Sequence, residues 1–391
     1  MRMCFHGVNA GIKTARARVA PAVAVAVLLV AGCTDSDSDT DPGADSGTAT
    51  GPGEGQDAEG ETNPPSSPGT PNPDSPGSSA PSSPDTSSSD GPEPDATEQT
   101  EPHPVSLPAM MEQEFDGRDL EVGDVIEDVG AYTRYEVTYR SGDLTISGIM
   151  NVPAGDGPFP VLILAHGYID PEIYTTGRGL AREQDYLARQ GYVVLHTDYR
   201  NYAGSDDDPE NEVRLRLGYT EDVINAVLAV RESSLPYVDG DRVGLLGRSM
   251  GGGIALNTLV VEPGLVDAAV IYASVSSDTV DNFDRWTRGN PDAAELTEEI
   301  IDAYGSPEDN SQFWRDVSPV TFFDQVADPV LMHHGTDDDT CPIEWAHTTA
   351  DALDDAGADV TLEVYEGEQH AFEPQWQDSI ELTAEFFDEH L

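Results

Sequence analysis

Six short apolar runs recur from residue 161 onward: VLILAHG (Val161 to Gly167), YVVLHTDY (Tyr192 to Tyr199), RVGLLG (Arg242 to Gly247), AAVIYASV (Ala268 to Val275), PVLMHHG (Pro329 to Gly335) and VTLEVYEG (Val360 to Gly367). Continuous runs of this length are what strands buried on both faces of a parallel sheet look like. Between them lie stretches with helical patterning, among them GRGLAREQDYLARQ, GYTEDVINAVLAVRESS and CPIEWAHTTADALDDAG. Ahead of them YTRYEVTYR and LTISGIMNVP, split by Ser-Gly-Asp, alternate as an antiparallel hairpin does. Strand and helix in alternation predict an α/β fold, a mostly parallel sheet covered by helices on both faces. Residues 109–391 are enough for one large domain of that class.

The rest of the chain is of another kind. Its only lysine, Lys13, lies with Arg2, Arg16 and Arg18 in the first 32 residues, which hold no acid, and the apolar run Val19 to Gly32 follows. A basic start and a short apolar core predict a secretory signal over residues 1–33, too short for a comfortable membrane span. The run ends Val30-Ala31-Gly32-Cys33. That ending resembles a bacterial lipoprotein signal, where cleavage leaves the cysteine as a lipid anchor. An exported protein tethered to the cell membrane through Cys33 and facing outward is the expectation. Residues 34–108 carry sixteen acids, no Lys or Arg, and repeated Ser, Pro, Gly and Thr, so they are read as a disordered linker. With Cys4 removed and Cys33 lipidated, Cys341 is left alone, and no intrachain disulfide is expected.

The whole chain holds 74 acidic against 19 basic residues, a net charge of −55. Nucleic-acid affinity depends on Lys and Arg neutralising phosphates, so a nucleic-acid partner is excluded. No His and Cys cluster has metal-ligand spacing, and neither metal nor cofactor is implied.

At the end of the third run the sequence LLGRSMGGGIAL places Ser249 between Gly247 and Gly251, where a strand turns into a helix. Such a turn holds a serine in a strained backbone position, with its hydroxyl above the carboxyl edge of the sheet. The Met250 backbone N–H, at the helix start, then faces a developing oxyanion. A serine hydroxyl needs a base oriented by a carboxylate. Of the downstream histidines, His347 falls in a helix, His390 is penultimate, and His333 and His334 end a strand ahead of the acids; His370, in a loop after the last strand, fits the base. Asp337, Asp338 and Asp339 follow a strand together, and any one of them could orient it. Ala165-His166-Gly167-Tyr168 lies where a second oxyanion donor is expected.

In this order PFPVLILAHGY, ARQGYVVLHTDYRNYAGSD, VDGDRVGLLGRSMGGG, HHGTDDDTCP and GEQHAF resemble the α/β-hydrolase catalytic domain of the prolyl oligopeptidase family and its esterase relatives, from about Tyr132 to the C-terminus. The resemblance implies Ser249, Asp338 and His370 as the catalytic triad. The family's H-G-x-x-D-x-x-V-P pattern selects Asp338 and puts Cys341 in the valine position, as a packed residue. Family members usually carry a second glycine where Tyr168 stands, so here the Tyr168 N–H is the expected second donor to the oxyanion, beside that of Met250. Family peptidases commonly carry a gating β-propeller ahead of this domain. The linker and about 25 residues before the first expected strand leave no room for one, which favours small ester or amide substrates.

The segment 276–323, with Phe283, Trp286, Tyr304, Phe313 and Trp314, is expected to form a small helical cap, its aromatic rings either lining a pocket or packing among themselves. The function so predicted is a serine hydrolase that cleaves carboxylic ester or peptide/amide bonds through an acyl-enzyme, with a small ester or peptide as substrate. An acyltransferase would use the same residues. A non-catalytic surface binding protein on this scaffold is the alternative of another class.

Overall fold

The computed structural model describes residues 101–391; the expected signal with its Cys33, and the linker up to residue 100, lie outside the described residues. Helix α1 (Leu107–Met111) is capped by the Ser106 hydroxyl, which accepts from the Ala109 N–H at 3.2 Å. The first two residues of this helix, Leu107 and Pro108, thus fall inside the stretch read as linker. Strand β1 (Arg118–Asp128) follows, then the hairpin β2 (Tyr132–Ser141) and β3 (Leu144–Pro153), and β4 (Phe159–Ala165). After that come α2 (Ala181–Gln190), β5 (Val193–Thr197), α3 (Leu217–Glu232), β6 (Val238–Arg248), α4 (Met250–Val261) and β7 (Ala268–Tyr272).

The segment between β7 and the next strand holds α5 (Thr279–Phe283), a π turn (Asp284–Arg288), a 3₁₀ turn (Pro291–Ala293), α6 (Ala294–Tyr304), α7 (Ser311–Asp316) and a second 3₁₀ turn (Pro319–Gln325). Strand β8 (Val330–Gly335), α8 (Ile343–Ala356), β9 (Val360–Tyr365) and α9 (Trp376–His390) complete the described chain.

One sheet joins all nine described strands in the order β1-β2-β3-β5-β4-β6-β7-β8-β9, antiparallel as far as the β3–β5 pair and parallel from β5 to β9. Side chains alternate across it as the pleat requires. Val161, Ile163 and Ala165 of β4 join one core, with Val223 and Val227 of α3, Ile254 and Leu259 of α4, and Leu353 of α8. Leu162 and Leu164 join the other, with Leu187 of α2 and Ile380 and Phe387 of α9. Helices therefore cover both faces, which is why the central strands read as unbroken apolar runs.

Strand β1 is not anticipated by the sequence pattern. It is an edge strand with register shifts against β2, largely exposed, with Val125 56% and Ile126 48% accessible. An edge strand in solvent needs few apolar residues and tolerates the acids that make RDLEVGDVIED look like a loop. In the cap segment Phe283, Phe313 and Trp314 are buried, the Phe283 and Trp314 ring centroids 4.6 Å apart, and all three join the core that holds α3, α4 and α8. Trp286 and Tyr304 are half-buried.

Where β5 leaves the sheet, the buried Arg200 grips α3. Its Nε and Nη2 donate to the two carboxylate oxygens of Asp222 at 3.0 and 2.8 Å, and Nη2 also meets Glu221 at 2.8 Å. Asp222, itself fully buried, further accepts from Ser141 Oγ of β2 at 2.8 Å. The pair fixes the long β5–α3 connection onto the sheet. Removing one partner of a buried bidentate pair leaves a charge without compensation, so Arg200→Met is expected to lower the unfolding free energy by about 3–5 kcal/mol. Urea denaturation checks this, and a loss below about 1 kcal/mol, the value of a surface pair, would contradict it.

Candidate active site

The chain runs from β4 to β5 on one side and returns to β6 on the other, so the strand order reverses at β4. Open α/β sheets bind ligands in the crevice at that reversal, outside the carboxyl ends of the strands. Ala165 and Gly247, at the ends of β4 and β6, are register partners, and the predicted catalytic and oxyanion residues all follow strand ends at this edge.

Ser249 joins β6 to α4 with φ 55° and ψ −119°, a conformation that costs a residue with a side chain about 1–3 kcal/mol. It is held there because its N–H donates to the Tyr272 carbonyl at 2.9 Å, while its own carbonyl accepts from Gly252 at 2.9 Å. The turn is tight enough to exclude side chains on both sides: a Cβ on Gly247 would lie 2.2 Å from the Gly251 oxygen, and one on Gly251 would lie 1.9 Å from the Ala165 oxygen. Gly167 stands over the serine, since a Cβ there would come within 3.1 Å of Ser249 Cβ and 3.7 Å of its Oγ. The next residues along the two segments, Tyr168 and Met250, are the predicted oxyanion donors, and the Tyr199 hydroxyl steadies the first segment by donating to the His166 carbonyl at 3.1 Å.

His370 and Asp338 are brought together: His370 Nδ1 donates to Asp338 Oδ2 at 2.8 Å. Asp338 Oδ1 accepts from the N–H groups of Thr340 and Cys341 at 2.9 and 2.8 Å, which fixes which of the three neighbouring aspartates points inward. Asp337 and Asp339 turn outward. Burial alone would push the Asp338 carboxyl up, but the hydrogen bonds of His334 and His370 and the Cys341 N–H outweigh it and hold it well below the usual carboxylate range. His334 Nε2 donates to the Cys341 carbonyl at 2.7 Å and lies 3.4 Å from Asp338 Oδ2, so it braces the acid loop from beneath. Cys341 is fully buried, as a packed residue would be.

The other histidines have structural surroundings. His333 is buried between the Tyr365 hydroxyl at 2.9 Å and that of Thr383 at 3.1 Å, and burial lowers its pKa to about 3. His347 lies within α8 and His390 ends α9.

Several residues that position the site carry no sequence signal. Arg248 Nη2 donates to the His370 carbonyl at 3.0 Å and so ties the serine turn to the histidine loop. Arg182 Nη2 donates to the carbonyls of Ala371 and Phe372 at 2.9 and 3.0 Å. Glu368 is buried; its carboxylate accepts from the N–H groups of Glu373 and Gln375, and its carbonyl accepts from Asp337 N–H at 2.9 Å. It locks the histidine loop to the acid loop, yet an acid two residues before a histidine reads in sequence as one more surface charge. Among the described residues no group of three His, Cys, Asp or Glu side chains could hold a metal ion. A cleft of about 540 Å³ near Arg200, lined by Phe115, Asp143 and Glu221 among others, includes neither Ser249 nor His370.

Residues 179–391 match the prolyl oligopeptidase family. The chain is 28% identical over 276 residues to the uncharacterized peptidase YuxL of Bacillus subtilis (strain 168), covering 66% of this chain and 39% of that protein. Human acyl-coenzyme A thioesterase 1 is 33% identical over 133 residues, covering 34% of this chain and 28% of the thioesterase. The chain therefore spans well under half the length of these curated relatives. Acetyl xylan esterase 1 from Thermoanaerobacterium sp. JW/SL YS485 has the same fold, with a TM-score of 0.56 at 20% identity, covering 72% of this chain and 92% of the esterase. These likenesses make the architecture an α/β-hydrolase fold.

A carboxyl whose pKa is depressed on folding stabilises the native state above its unfolded pKa, and that contribution disappears as pH falls toward the folded value. The difference in melting temperature between wild type and Asp338→Asn should thus be largest above pH of about 5 and shrink progressively as pH falls from about 4 to about 2. A difference that stays constant across that range would contradict the assignment of Asp338 as the buried, ionised acid.

Proposed function

Because the chain belongs to the prolyl oligopeptidase family, we propose that it is a serine hydrolase cleaving carboxylic ester or peptide/amide bonds through an acyl-enzyme. The observation that carries this reading is the His370–Asp338 hydrogen bond of 2.8 Å in a loop tied by Arg248 to the strained Ser249 turn. With Nδ1 committed to Asp338, the ring nitrogen that exchanges a proton with the serine is Nε2. Ser249 Oγ attacks the carbonyl carbon as His370 takes its proton, and Asp338 holds the tautomer and stabilises the imidazolium. The Met250 and Tyr168 N–H groups bind the oxyanion, an arrangement that needs no reorganisation because the backbone is already fixed on both sides. His370 then protonates the leaving group, and water, activated by the same histidine, releases the acid.

Peptidases and esterases are both among the relatives, so the proposal keeps both bond types. The test is to treat the full chain with a fluorophosphonate probe, map the adduct by mass, and measure turnover of a p-nitrophenyl ester series and of aminoacyl amides. The expected results are a Ser249 adduct and a Ser249→Ala variant that folds normally but loses about 10⁴–10⁶-fold in kcat. A folded protein that neither labels nor turns over would instead support a binding role on a hydrolase scaffold.

The N-terminus carries a second part of the proposal. Val30-Ala31-Gly32-Cys33 supports export followed by lipid attachment at Cys33, placing the hydrolase on the outer side of the cell membrane at the end of an acidic tether. The protein expressed in a bacterium should then incorporate labelled palmitate and sediment with membranes, and Cys33→Ser should abolish both. A soluble wild-type protein with Cys33 unmodified would contradict the anchor.

A further inference from the structure

Beside the serine turn lies one cation whose hydrogen-bonding capacity is not matched by its neighbours. Arg216 immediately precedes α3, and both it and Leu215 have left-handed backbones, with φ of 60° and 54°. Hydrogen bonds from Arg216 N to Asn211 O at 2.8 Å and from Leu215 N to Glu212 O at 3.1 Å hold this uncommon turn. The consequence is a guanidinium set against both predicted oxyanion residues: its Cζ is 5.0 Å from the Tyr168 ring centroid, and its Nη1 is 3.8 Å from Met250 Sδ. Nε and Nη2 both go to Glu212 Oε2, at 2.9 and 2.8 Å. Among the described residues the partner of Nη1 is therefore a thioether sulfur, a weak acceptor for one of the strongest donors a protein has. The side chain is 38% exposed, so the group is reachable.

Glu212 already compensates the charge of Arg216. What the pair still offers is a directed N–H donor and not a net positive field. It would recognise an uncharged oxygen more readily than capture a free anion.

We propose that Arg216 is a specificity-determining residue whose Nη1 donates a hydrogen bond to an acceptor oxygen carried by the acyl part of the substrate, beyond the scissile carbonyl. This rests on the serine hydrolase reading. An acyl group on Ser249 has its carbonyl oxygen at the Met250 and Tyr168 N–H groups, and Arg216 flanks the side chains of those same two residues. An acyl chain bearing a second carbonyl can then exchange a poor sulfur partner for an oxygen one. A plain alkyl chain of equal length cannot.

The test compares two p-nitrophenyl esters of matched chain length, methyl succinyl and hexanoyl, with the full-length wild type, Arg216→Gln and Arg216→Lys, each first checked for fluorophosphonate labelling at Ser249. The ratio of kcat/KM for methyl succinyl over hexanoyl should fall by about tenfold or more in Arg216→Gln, as expected for losing a charge-assisted hydrogen bond. Arg216→Lys, which keeps a cationic donor, should retain more of the ratio and carries the test if the Gln variant fails to fold. A ratio that does not change, or two esters that lose rate equally, would overturn the proposal, the latter because Arg216 would then only position Tyr168 and Met250. A wild type that does not label brings down the hydrolase reading itself, whereas labelling with an unchanged ratio brings down only the role of Arg216.

Discussion

The carbonyl of Ala165, at the end of β4, approaches the backbone of Gly251 so closely that a Cβ there would lie 1.9 Å away. Much of the site geometry depends on that contact. It lets the start of α4 press against the end of β4, with the preceding residue, Ser249, held at positive φ and Gly167 over the serine side chain. The strain at Ser249 is small beside the surrounding constraints: a ladder bond to β7, helix bonds to its carbonyl, and apolar cores on both sides of the sheet. Rigidity of this kind suits a nucleophile, because the oxyanion donors and the hydroxyl are fixed by backbone and not by side-chain rotamers.

Around that fixed centre, arginines do the joining. In residues 109–391 there is no lysine and there are fifteen arginines. Arg182 and Arg248 cap carbonyls of the histidine loop, Arg200 holds α3 to the sheet, and Arg216 sits against Tyr168 and Met250. A planar guanidinium with several donors can bridge loops in a way that a lysine ammonium, strongly hydrated and with less directed geometry, cannot. In a chain this acidic most carboxylates are solvated, so the six that are buried among the described residues, Glu183, Asp198, Asp222, Asp328, Asp338 and Glu368, stand out, each with a hydrogen-bond partner.

The central strands were legible because burial on both faces leaves an unbroken apolar run, and the serine turn was legible because backbone crowding demands glycine. β1 was hidden because an exposed edge strand has neither constraint. The order Ser249, Asp338, His370 could be read from loops following strands, but the choice among Asp337, Asp338 and Asp339 needed the family pattern; in three dimensions it follows from the Thr340 and Cys341 N–H groups that turn Asp338 inward. The contacts of Arg182, Arg248 and Glu368 were not readable at all, since each joins segments distant in sequence through a backbone carbonyl or N–H that has no residue signature. The cap aromatics divide by burial, with Phe283, Phe313 and Trp314 inside and Trp286 and Tyr304 partly exposed, a distinction that spacing alone did not make.

The central claim is that the backbone around Ser249 is preorganised for an oxyanion. A crystal structure of the fluorophosphonate adduct tests it most directly. The account predicts phosphorus bonded to Ser249 Oγ, with its non-bridging oxygen within hydrogen-bond distance of both the Met250 and Tyr168 N–H groups and His370 Nε2 beside the ester oxygen. An adduct on another residue, or a phosphonyl oxygen turned away from those two N–H groups, would contradict it.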